Sequence, residues 1–294
     1  MRILIGVDGS PASAVACELV ADRSWPEGTQ IRLVGATERP LSVNRGSDDG
    51  IVARAAALGL ELDRQAEAFR RRAMPCELVV EFGRPADVLL AQAREWWSDL
   101  VVVGNRGRGP AASAILGSVS AHLVDHAPCP VLVARSPRIR RMLLATDGSR
   151  SCLDVPRILA RWRPAFHGLD VEVLSIASGT GRLGGVPAAD LPDAGLADHR
   201  RIAEEVADEM TELGWSAAAV TRAGNPGSEI VDAAEGYGAD LVVTGSRCLG
   251  TLQRLLSGSV AHSVLLGTHA SVLVVRGGVP ARAGERRRAT LGVA

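Results

Sequence analysis

No lysine occurs among the 294 residues, so all 33 residues of the Lys+Arg class are arginines. The absence excludes each phosphate-binding or catalytic device that needs a lysine amine: the Walker A lysine, the strand lysine of protein kinases, and Schiff-base chemistry. Any anion bound by this chain must be held by backbone N–H groups, arginine or a metal ion. An excess of charge is lacking too. The 33 acidic residues balance the arginines, so no bulk field draws the chain to nucleic acid or to a membrane. No apolar run reaches the length of a membrane-spanning helix. Met1-Arg2-Ile3-Leu4 enters a strand-like run without a signal-peptide pattern, which predicts a cytoplasmic protein. Cysteine is sparse: Cys17, Cys76, Cys129, Cys152 and Cys248 are scattered, odd in number and show no C-x-x-C spacing. That pattern argues against a disulfide framework or a zinc site and predicts reduced thiols.

What is present is a duplicated plan. Gly104-Asn105-Arg106-Gly107, nine residues, then Gly117-Ser118-Val119, recurs 141 positions on as Gly245-Ser246-Arg247-Cys248, nine residues, Gly258-Ser259-Val260. Asp8-Gly9-Ser10 recurs as Asp147-Gly148-Ser149 at an offset of 139, so the second half has gained two residues in between. With 47 % apolar and 22 % charged residues, two units of this size each bury a core.

The first half alternates strand and helix patterns. Strands are expected at 2–7, 31–36, 76–82, 100–103 and 131–134; helices at about 12–23, 51–72, 85–96 and 118–126. The second half repeats the order, with a long loop at 177–198 and its long helix at 199–213. Such alternation predicts two tandem doubly wound α/β domains, at 1–135 and 142–276, with a linker at 136–141. The Gly-, Ala- and Arg-rich residues 277–294 are expected to be a disordered tail.

In open α/β sheets ligands bind beyond the carboxyl ends of the strands, where Asp8 and Gly104 both stand. Gly104 lets the backbone approach a ligand. Gly117-Ser118-Val119 opens a helix and offers unpaired N–H groups together with the Ser118 hydroxyl. Arg106 and Arg108 are the candidates to face a terminal phosphate. Asp8 is the candidate to hold magnesium through water or to accept a ribose or loop hydrogen bond. The plainer alternatives are an ordinary turn at Gly104, a turn cap at Asp8 and a helix cap at Ser118.

The frame Gly104-Asn105-Arg106-Gly107-x9-Gly117-Ser118-Val119, followed by Ala127-Pro128-Cys129-Pro130-Val131-Leu132-Val133, resembles the ATP-binding branch of the universal stress protein family. The opening Ile5-Gly6-Val7-Asp8-Gly9-Ser10 is similar too, and the resemblance covers nearly the whole chain as a tandem pair. It implies a Rossmann-like, five-stranded parallel sheet per domain. It also implies ATP, possibly with magnesium, held by Gly6, Asp8, the loop Gly104, Asn105, Arg106, Gly107, Arg108 and Gly109, and Gly117, Ser118 and Val119, with Ala36 near the adenine. In the second half the corresponding positions are Ala145, Asp147, Gly245, Ser246, Arg247, Gly258, Ser259 and Val260. The last strands, 131–134 and 272–275, would pair the two domains, and a homodimer is a further possibility.

The second half departs from the motif at Cys248, where the first half has Gly107, and at Ala145, where it has Gly6. If that loop position needs positive φ, a β-carbon there costs about 1 kcal/mol, so the second site is expected to bind more weakly. Gly250 offers a way to re-form the loop. The expected function is ATP-dependent regulation in a stress response, acting through conformation or through an unidentified protein partner. The alternatives are a slow ATPase or adenylating enzyme and a scaffold without nucleotide. No general base or nucleophile stands out near the loop. His122, His126 and His262 are expected in surface or packing roles, and Trp96, Trp97, Trp162 and Trp215 around helix ends.

Overall fold

The computed structural model describes residues 1–38, 48–107, 116–178, 193–245 and 259–275. In the first half the elements run β1 (Arg2–Gly6), α1 (Pro11–Ala21), β2 (Gln30–Thr37), α2 (Asp48–Arg70), β3 (Cys76–Phe82), α3 (Pro85–Glu95), β4 (Leu100–Gly104), α4 (Ser118–His126) and β5 (Val131–Ala134). The second half runs β6 (Arg141–Thr146), α5 (Arg150–Leu153), α6 (Val155–Arg161), α7 (Arg163–Phe166), β7 (Asp170–Ala177), α8 (Asp193–Glu212), β8 (Ser216–Ala223), α9 (Pro226–Tyr237), β9 (Leu241–Gly245), α10 (Ser259–Gly267) and β10 (Ser271–Val275).

The strands form because β-branched and aliphatic runs bury on both faces of a parallel sheet. Along β1, Ile3 and Ile5 enter one apolar layer with Leu33 and Phe69, while Leu4 enters the opposite layer with Leu89 and Leu123. The strand order is β3-β2-β1-β4-β5-β10-β9-β6-β7-β8, one ten-stranded sheet. Each half contributes five parallel strands, and the halves meet where β10 runs antiparallel to β5, Leu273 opposite Leu132. Arg23 strengthens the junction by donating to the Ile139 carbonyl at 2.6 Å and the Ala165 carbonyl at 3.3 Å. The Trp25 ring meets Phe166 edge-on at 6.0 Å.

The two halves are not copies in detail. Where the first half has the single helix α1, the second has three short pieces, because Pro156 and Pro164 each stand near a helix start and supply no N–H to continue a preceding turn. The helix expected from residue 199 starts at Asp193, six residues earlier, just after Pro192. Trp162 and Trp215 are buried at helix ends, and the Trp215 indole donates to the Phe166 carbonyl at 2.9 Å. Trp96 terminates α3, whereas Trp97 takes positive φ and is exposed. The His122 and His126 rings stack on α4, and His262 Nδ1 lies 4.0 Å from Asp125 across the junction.

Burial pushes the Cys17 thiol up to about 12 and the Cys76 thiol up to about 11. Neither is disulfide-bonded, nor is buried Cys129. Cys152 corrects the expectation of reduced thiols throughout, because it is disulfide-bonded.

Candidate functional site

The site is built where β1 and β4 end side by side. After β1 the chain turns at Gly9, whose φ of 74° suits glycine. Asp8 Oδ1 accepts from the Ser10 N–H at 2.9 Å, and Ser10 Oγ accepts from the Ser13 N–H at 3.2 Å, capping α1. Asp147 makes the same turn bond to the Ser149 N–H, also 2.9 Å. The turn-cap role of Asp8 is therefore present in the geometry, and its second oxygen faces Gly107.

At the end of β4, a β-carbon on Gly104 would lie 2.5 Å from the backbone of Ala12, so only glycine lets the strand end against the first turn of α1. Beyond it the loop is clasped at both ends. Asn105 N–H donates to Ala134 O at 3.1 Å, and Asn105 O accepts from the Gly117 N–H at 2.8 Å. Ser120 Oγ donates to Gly104 O at 2.7 Å. These bonds hold the start of α4 over the end of β4. Gly117 stands at the N-cap with φ −74° and ψ 149° and has no side chain to cap the helix. Among the described residues no side chain caps the Ser118, Val119 and Ser120 N–H groups, which as the first amides of a helix lack an intrahelical carbonyl. They carry the positive end of the helix dipole.

A pocket of about 460 Å³ opens there. It brings together Gly6, Asp8, Ala36, Gly104, Arg106, Gly107, Gly117, Ser118 and Val119. Asn105 is spent on the clasp and is not on the wall. Arg108 and Gly109 lie outside the described residues. Val34, Val103 and Leu89 line the pocket with Pro85, Glu38, Ser13 and Ser120, none of which sequence reasoning had singled out. Leu89 and Pro85 reach it because α3 packs beside β2. Their only trace in the sequence is a helix start at Pro85 and an apolar helix face.

Gly107 corrects one expectation. It is not among the glycines with positive φ. Its lack of a side chain matters because a β-carbon would lie 2.7 Å from Asp8 Oδ2. A β-carbon at Gly6 would lie 3.0 Å from Val103 and 3.1 Å from Leu89. In the second half Ala145 is buried, Gly245 ends β9, and Val260 is buried in α10. Ser259 opens α10. Ser246, Arg247, Cys248, Gly250 and Gly258 lie outside the described residues.

Fold and site together define a tandem pair of doubly wound α/β domains, the first with an open helix-start cradle past its strand ends. Residues 1–135 and 138–276 each match the universal stress protein family. A universal stress protein of Mycobacterium tuberculosis is 30 % identical over 304 residues, covering 93 % of this chain and 96 % of the relative. One of Thermus aquaticus is 34 % identical over 135 residues, covering 45 % of this chain and 97 % of the relative. Among solved structures, a universal stress protein from Archaeoglobus fulgidus superposes with a TM-score of 0.66 at 18 % identity, covering 94 % of this chain and 96 % of that one. The chain belongs to the universal stress protein family, as two tandem domains. Among the described residues, no helix is long and apolar enough to cross a membrane.

Proposed function

We propose that the first half binds ATP in this pocket and that the protein acts in a stress response as a nucleotide-dependent regulator, through its conformation or a protein partner. The observation that carries the reading is the start of α4: a helix N-terminus held in place by three hydrogen bonds, left uncapped, and opening into a cavity. The cavity volume falls in the range of small-molecule sites. Its apolar wall of Val34, Ala36, Leu89 and Val103 suits a flat base, and the amides of Ser118 and Val119 suit phosphates. Arg106 stands at the rim, where it adds charge that lysine cannot supply in this chain. Asp8 is assigned a place near the ribose or a water-bound magnesium ion. Among the described residues no cluster of three or more metal-ligating side chains forms, so magnesium would arrive with the nucleotide and be held mainly by its phosphates. The proposed domains are residues 1–135 and 142–276, the second with a weaker site at Ala145, Asp147, Gly245, Ser246, Arg247, Gly258, Ser259 and Val260.

The test is the nucleotide that co-purifies with the full chain when none is added. Extraction and chromatography should recover ATP. Recovery of ADP instead would favour a slow ATPase, and recovery of no nucleotide, with no binding on titration, would leave a scaffold.

A further inference from the structure

The outward face of α2 is built differently from that of α8, the helix in the same place in the second half. The two align at the same offset of 141 as the glycine loops. Phe69 O accepts from the Met74 N–H, as Met210 O accepts from the Trp215 N–H. Toward the sheet, Leu62, Ala66 and Phe69 are buried and are matched by Ala203, Ala207 and Met210. Toward solvent the match fails. Leu60 is 75 % exposed and Val52 65 %, and Ala53, Ala56 and Ala57 between them are exposed as well. In α8 the positions of Ala57 and Leu60 are taken by Asp198 and Arg201, both exposed, and Arg201 is ion-paired to Glu205 at 2.6 Å. The fold therefore does not require apolar residues on this face, and a contiguous exposed apolar strip marks a contact surface. Val52, Ala56 and Leu60 follow one another at a spacing of four, so they share one side of the helix. The turns after them carry charge that is already matched within the helix: Arg64 pairs with Glu61 at 2.7 Å and Arg70 with Asp63 at 2.6 Å.

We propose that this strip is a self-association surface whose occupant is α2 of a second copy of the chain, laid antiparallel across a two-fold axis at Ala56. The strip is its own complement. Reversal about Ala56 sets Leu60 against Val52 of the second copy, and Val52 against its Leu60, with the alanines between them. Such small residues let two helices approach to about 8 Å, the near end of the usual range. The matched charges beside the strip suit a partner with no charge to neutralise. The chain has a formal net charge of zero, so two copies meet without bulk repulsion. From Val52 to Leu60 the strip runs about 12 Å along the axis. With its flanking turns it buries on the order of a few hundred Å² per copy, below the roughly 800 Å² of a standard interface. The dimer is accordingly weak and concentration-dependent. It needs nothing of the nucleotide reading, since neither Val52 nor Leu60 lines the pocket.

Sedimentation velocity of the full-length protein over a wide range of concentration should show a monomer–dimer equilibrium. Leu60→Arg installs the side chain that α8 carries at this position. It should weaken association by at least about tenfold, with the melting temperature unchanged. Ala56→Cys stands on the axis and should yield a disulfide-linked dimer on air oxidation. Asp63→Cys should not, because its two copies lie about 21 Å apart along the helices. Wild type, with its own cysteines, sets the background. A monomer at every concentration overturns the proposal and leaves the strip to a different protein. A dimer indifferent to Leu60→Arg overturns it as well, since the contact then lies elsewhere. Dissociation by Leu60→Arg without a cross-link at Ala56→Cys overturns the two-fold arrangement.

Discussion

At Gly107 a missing β-carbon leaves the Asp8 carboxylate room to point two ways, one oxygen on the Ser10 N–H and the other toward the loop. Adding a methyl group places a carbon 2.7 Å from Oδ2, and the carboxylate is the part that can move. The fold should therefore tolerate Gly107→Ala, losing about 1 kcal/mol, the typical net worth of one hydrogen bond. Ligand binding should suffer more. If Asp8 orders the ribose or a water-bound magnesium, ATP affinity should fall about tenfold, equivalent to roughly 1.4 kcal/mol. Asp8→Ala should produce a similar loss, and the double mutant should be little worse than either single one, because both changes remove the same carboxylate placement. Urea melts and calorimetric titrations of the three variants check this. Additive losses of affinity would mean that Gly107 and Asp8 act independently.

Among the helices, α4 differs from α1 and α9 in having no side-chain cap. Ser10 caps α1, and Asn225 caps α9 by accepting from the Gly227 and Ser228 N–H groups at 2.9 and 3.4 Å. At Gly117 an added β-carbon would meet nothing closer than 3.4 Å, so there is room for a cap that the sequence does not use. Gly117→Asp should therefore raise stability by about 0.5 kcal/mol, since aspartate caps a helix slightly better than glycine and its charge suits the dipole. It should also abolish ATP binding, because the carboxylate takes the same amides and repels phosphate. Thermal melts and titration read the two effects separately, and a capped variant that still binds ATP would move the phosphates elsewhere. This scale also shows what the sequence makes legible. The buried strands and α4 are readable because apolar runs and a Gly-Ser turn act locally. The three-way break at α5 to α7 follows from Pro156 and Pro164 but is hidden by the expectation of a repeat. The early start of α8 sits in a Gly- and Pro-bearing stretch that reads as loop. The pocket wall at Leu89 and Pro85 is set by the packing of α3 on β2, a tertiary contact with no local signal.

Across the whole molecule the sheet is continuous, with β5 and β10 at its centre and β3 and β8 at its edges, but the two strand-end regions are unequal. The sheet register aligns the halves residue by residue: Gly6 pairs with Val34 in β1 and β2, and Ala145 pairs with Leu174 in β6 and β7. Two residues further along, Ala36 of the first half corresponds to Ile176 of the second, which is buried. Where Ala36 lines the first pocket, the second half therefore carries a larger, buried side chain. Ala145 adds a methyl group where Gly6 has none, and the sequence puts Cys248 where the first half has Gly107. Ile176 and Ala145 both oppose a second ligand, so one nucleotide should bind tightly per chain. Restoring glycine at Cys248 alone should recover little. Combining Cys248→Gly with Ile176→Ala and Ala145→Gly should raise the stoichiometry toward two, provided thermal melts show that the widened core still folds. The converse is simpler: Ala36→Ile should fill the first pocket and weaken ATP by at least about tenfold with little change in melting temperature. Calorimetric stoichiometry distinguishes the cases, and two equal sites in wild type, indifferent to Ala36→Ile, would show that neither wall holds the base.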